Sequence, residues 1–142
     1  MVDKIISSYA NSPPKNLADN ADREIPNGPL YPRILDVIDS CDIKPATLKC
    51  IEDMSFYDIS GDKIREWLKI AVATNGYVNS VWCRLSPNRN CIAACDAYKI
   101  EVEVKSLKTD ELEGVVMYLK FFISKTGKTI MQVSAHPSIF NN

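Results

Sequence analysis

The residue pattern predicts an α+β domain, with about three N-terminal helices packed on a four-stranded, mainly antiparallel C-terminal sheet. Three features point there. Residues 31–72 carry apolar side chains at helical spacing, residues from 98 onward alternate with the period of a strand, and turn residues punctuate the second half at hairpin distances. At 142 residues the chain is long enough for one core. The expected organisation is a flexible or docking arm over 1–30 and a single α+β domain over 31–142.

The arm follows from composition. Residues 11–32 hold five of the eight prolines and little apolar periodicity, so they bury too little surface to offset the entropy of ordering them. The first helix is predicted over 31–41, where Ile34, Leu35, Val37, Ile38 and Cys41 share one face and Pro32 suits the first turn. A second is predicted over 45–54, with Leu48, Ile51 and Met54 turned inward. A third carries a continuous apolar stripe of Ile64, Trp67, Leu68, Ala71 and Val72. Ser60 or Asp62 caps its start, and Asn75-Gly76 supplies a left-handed stop.

Strands follow the helices. Residues 77–85 are rich in β-branched and aromatic types, and Ser86-Pro87-Asn88-Arg89-Asn90 signals a turn. From Tyr98 the alternation is strict: Tyr98, Ile100, Val102 and Val104 on one face, Lys99, Glu101, Glu103 and Lys105 on the other. A charged connection over 108–114 leads into 115–124, apolar on both faces and so expected to be covered on both. Lys125-Thr126-Gly127-Lys128 makes a tight hairpin before a last strand over 129–135, which ends near Pro137.

Charge is unevenly spread. The net charge is −1, but residues 1–59 hold 6 Lys/Arg against 10 Asp/Glu and residues 60–142 hold 11 against 8. Neither half has the clustered cations of a dedicated nucleic-acid binder. No apolar run approaches the roughly 20 residues of a membrane-spanning helix, although peripheral membrane contact stays open. With no secretory h-region and five cysteines of irregular spacing, the thiols are expected free and the compartment intracellular, cytoplasmic and reducing.

No residue set specifies a reaction. Gly127-Lys128-Thr129 resembles the end of a phosphate loop, but Phe122 stands where the leading glycine belongs and a strand follows. Cys91 and Cys95 with His136, the only histidine, fall short of four metal ligands, and nothing brings a cysteine within reach of His136 as its base. Glu101 and Glu103 neighbour each other within an alternating charge row, the ordinary dress of a wet sheet face. The expectation is a chain without catalytic residues, cofactor or metal. Trp82, Val116, Tyr118 and Phe122 are the candidates for a partner-contact surface, since aromatic side chains left uncovered on strands mark interfaces.

The run Tyr98-Lys99-Ile100-Glu101-Val102-Glu103-Val104, then Val116-Met117-Tyr118, then the hairpin and Val133-Ser134-Ala135-His136 resembles the closing strands of rhabdovirus matrix proteins, over about 40 residues. The resemblance implies a structural assembly role in a virion. The arm differs from that family's lysine-rich arm in being acidic on balance, and Pro13-Pro14-Lys15-Asn16 lacks the tyrosine of its budding motif. The expected function is therefore a non-enzymatic interaction or self-assembly protein, in its most concrete form a viral matrix-like component. The alternatives are a small bacterial immunity or antitoxin-type inhibitor, and a cone-shaped pocket enzyme or ligand carrier, which requires a deep cavity with a buried polar group.

Overall fold

The computed structural model describes residues 4–14, 23–85, 91–105 and 110–138. The turn at 86–90, residues 106–109 of the charged connection and residues 15–22 of the arm lie outside them. The class is α+β, and the described residues include the helices α1 (Ile34–Val37), α2 (Leu48–Phe56) and α3 (Gly61–Ala73). The strands are β1 (Lys4–Ile5), β2 (Asp42–Pro45), β3 (Tyr77–Arg84), β4 (Cys91–Lys105), β5 (Leu112–Ile123) and β6 (Thr129–Pro137).

Among the described residues the sheet has six strands rather than four and is mixed rather than mainly antiparallel, and these helices sit mid-chain rather than at the N-terminus. The meander β3-β4-β5-β6 is antiparallel as expected. Two short strands extend it, both parallel: β1 pairs with the start of β4, and β2 pairs with β6 from Asp42↔Thr129 to Pro45↔Gln132. Neither carries an alternating signature; each exists because an edge of the meander supplies its hydrogen-bond partners. Pro45 is tolerated because β2 ends there on the sheet's margin.

The helix predicted over 31–41 is cut to a single turn. Arg65 takes the carbonyls of Ile38 and Cys41 at 2.7 and 3.1 Å, and β2 draws Asp42 onto β6 through a backbone bond from its N–H to the Lys128 carbonyl. The third helix matches its pattern. Ser60 caps it by accepting from the Lys63 N–H, and Ile64, Trp67, Leu68 and Ala71 are buried. Asn75 at φ +60° turns the chain, and Gly76 lies so close to the Lys99 carbonyl that a Cβ there would overlap it, with the Ala71 carbonyl in tight contact beside it.

β4 begins seven residues before the alternation that announces it. Its first half is small and buried (Ala93, Ala94, Cys95, Ala97), held by β3 over Ile92–Tyr98, while β5 pairs with Asp96–Lys105. One face of the sheet carries Tyr98, Ile100, Val104, Met117, Leu119 and Phe121, all buried beneath the helices with Trp67 and Leu68. The other carries Lys99, Glu101 and Glu103, exposed, and Val116, Tyr118 and His136, half-buried. The two faces of β5 are thus covered unequally.

Candidate interaction surface

The structure separates the four aromatic and aliphatic candidates. Trp82 and Phe122 are each 1% exposed. Trp82 lies among Ile25, Ile92 and Ala94, with the Tyr9 ring 6.3 Å away, and Phe122 belongs to the main core. Val116 and Tyr118 remain half-open on the outer sheet face. Tyr118 faces His136 across β5 and β6 with ring centroids 5.5 Å apart, and burial raises its phenol above the ordinary value. His136 meets the Pro137 carbonyl at 3.0 Å through Nδ1.

The other motifs are dispersed. Gly127 at φ +74° turns the hairpin into β6, as its chemistry requires. Cys91 and Cys95 lie on one strand, half-buried and buried, and among the described residues no group of three or more potential metal-ligating side chains comes together. Glu101 and Glu103 line a shallow hollow of about 510 Å³ with Gly114 and Val116.

Asp96 is the polar group that sequence patterning missed. It has no exposed surface, yet its carboxylate is fully used: it accepts from the Leu30 N–H at 2.9 and 3.0 Å, from the Tyr31 N–H at 3.0 Å and from the Ser80 hydroxyl at 2.6 Å. Burial raises its carboxyl above the usual range, and those three donors pull it back in part. The carboxylate faces backbone, so its chemistry is to fasten residues 30–31 onto the sheet.

The strongest surface feature is on α2. Of Leu48, Ile51 and Met54, all expected inward, Met54 is half-buried against the core, but Leu48 is 53% and Ile51 49% exposed, with Phe56 at 56% by the C-terminal end. What α2 buries is Cys50 and Asp53. Thr47 sets this rotation: its Oγ1 accepts from the Cys50 N–H at 3.0 Å and donates to the Val133 carbonyl at 3.1 Å, so the first turn is pinned to β6 with Cys50 beneath it. Asp53 keeps one oxygen on Lys49 at 2.8 Å, while its Oδ2 is buried with no hydrogen-bond partner among the described residues. The helix therefore carries apolar groups outward and a carboxylate inward, the reverse of a helix designed only for its own core.

No helix among the described residues is long and apolar enough to cross a membrane. No protein-family model, curated protein or solved structure matches the chain.

Proposed function

We propose that this chain is a non-enzymatic assembly protein that docks a protein partner, in the first instance a second copy of itself, through the outward face of α2. The observation that supports this is the outward turn of Leu48 and Ile51, one helical turn apart, with Phe56 nearby. Apolar side chains scattered singly on a surface are ordinary, whereas several on one helix mark a contact. A helix face can meet its own copy across a two-fold axis, because such an interface needs only self-complementarity. The resemblance of the closing strands to rhabdovirus matrix proteins supports the most concrete form, a matrix-like structural component.

Light scattering over a concentration series tests the proposal. The wild-type chain should gain apparent mass with concentration, and a Leu48→Glu, Ile51→Glu double variant should stay at monomer mass with an unchanged unfolding midpoint. A wild-type chain that stays at 15.9 kDa throughout, or a double variant that still associates, removes the self-assembly reading.

A further inference from the structure

We propose that, in the assembly formed through α2, the N-terminal segment Lys4–Tyr9 is exchanged between copies, each chain seating it in the slot between β4 and β5 of the other. The exchange rests on the self-assembly reading for its partner and on the slot itself for its chemistry. β5 pairs with β4 only from Asp96 onward, and the segment fills the splay before it. β1 runs parallel to Cys91–Ile92, the Ile6 N–H bonds the Ile92 carbonyl at 3.0 Å, and the Ser8 N–H bonds the Ile123 carbonyl at 2.8 Å. An extended segment that takes backbone partners from both lips of a slot is held as an added strand is.

Side chains make the slot selective. Ser7 is fully buried and its hydroxyl accepts from the Ala94 N–H at 3.0 Å. Ile5 and Tyr9 close over Ile25, Trp82, Ile92 and Ala94, a cluster distinct from the main core. None of these contacts depends on the covalent link from Tyr9 to the rest of the chain, so the same segment of a second copy makes them identically. That identity is what makes exchange between like chains a low-cost route to association. Once α2 holds two copies together, the exchange becomes a step within one complex.

The hinge favours the exchanged form. Ser12, exposed just beyond the seated segment, has φ +52°. This is the left-handed region, costly for any residue with a Cβ. Ser12 also precedes Pro13, and a proline favours extended backbone at the residue before it. A segment seated on a neighbouring copy leaves Ser12 free to extend, and a hinge strained in the closed form invites exchange. The chain is long enough to reach. Ala10 to Asp22 is 13 residues, up to about 45 Å when extended, against a radius of gyration of about 15 Å for a compact chain of this length.

The test uses the full wild-type chain. Lys4 lies opposite Cys91 in the register of β1 on β4, so a short amine-to-thiol cross-linker joins the two wherever the segment is seated. Unlabelled and heavy-nitrogen chains are mixed in equal amounts, concentrated until light scattering shows association, cross-linked and mapped by mass spectrometry. In the associated fraction about half of the Lys4–Cys91 links should join chains of different isotope, as random pairing of exchanged copies requires; in the monomer fraction every link should be of one isotope. Ser12→Gly, which tolerates the hinge angle, should lower the mixed share, and Ser12→Pro, which cannot adopt that angle, should hold it. An associated fraction with same-isotope links only overturns the exchange and leaves the α2 contact standing, whereas a chain that never associates overturns both. A mixed share that does not fall in Ser12→Gly overturns the role of the hinge.

Discussion

At the scale of single residues, Asp96 holds residues 30–31 to the sheet through the Leu30 and Tyr31 N–H groups. Replacing it with Ala removes the acceptor of the Leu30 and Tyr31 N–H groups, while the Ser80 hydroxyl keeps the Tyr77 hydroxyl 2.6 Å away as its partner. Unsatisfied buried donors cost about 1–3 kcal/mol each, so with two of them Asp96→Ala should lose at least about 2 kcal/mol in urea unfolding. The pH dependence has a definite sign. Because burial raises its folded value above the usual carboxylate value of about 3.9, the folded state holds this proton more tightly than the unfolded chain. The contribution of Asp96 to stability is therefore fully present below that value and is lost as pH rises through the raised one. Asp96→Asn, which cannot ionise, should flatten this fall in the unfolding midpoint; an unchanged slope would place the titration elsewhere.

Gly76 works at the same scale but through space. Its position against the Lys99 and Ala71 carbonyls is where α3 hands over to β3, and the Lys99 N–H bonds back to its carbonyl at 2.8 Å. Both neighbours are backbone and cannot swing aside. Gly76→Ala should cost about 2 kcal/mol or more, in the range of overpacked sites, read as a lower thermal midpoint.

Among the elements, those whose signal comes from their own residues were legible in advance. The α3 stripe, its Ser60 cap and Asn75 stop, the alternation from Tyr98 and the Gly127 hairpin all appear as read, because burial on one side leaves a period in the residues. β2, α1 and the first half of β4 were not legible. Asp42-Ile43-Lys44-Pro45 is a strand only because β6 runs beside it, and Cys91–Ala97 shows no alternation because small side chains are buried on both faces. The case of α2 is different again. Its apolar stripe was visible at Leu48 and Ile51, but amphipathicity states that a face needs cover without stating that this chain provides it. The Thr47 latch to Val133 decided the rotation, and that contact joins residues 86 positions apart. Thr47→Ala removes both the cap and the latch and should cost about 1–2 kcal/mol. Leu48→Glu, by contrast, should change stability by no more than about 0.5 kcal/mol, so urea midpoints of the two variants separate the anchored side of α2 from its free side.

For the molecule as a whole, the N-terminal segment is a part of the sheet rather than an appendage of it. β1 lies parallel to the start of β4, and the chain then crosses to β5, where the Ser8 N–H bonds the Ile123 carbonyl at 2.8 Å. Ser7 is fully buried between them: it accepts from the Ala94 N–H at 3.0 Å and donates to the Tyr9 carbonyl at 2.6 Å. Tyr9 in turn covers Trp82, and Ile5 packs on the same small cluster with Ile25 and Ile92. Deleting residues 1–9 would open the splay between β4 and β5 and leave the Ala94 N–H without its acceptor. The two tryptophans report the outcome separately, since Trp82 lies under this segment and Trp67 lies in the main core beneath α3. Emission from Trp82, isolated by Trp67→Phe, should shift to the red in the deletion variant, while emission from Trp67, isolated by Trp82→Phe, should stay where it is. Equal shifts at both would mean that the main core fails together with the segment, and that the sheet has no second, separable cluster at its β1 edge.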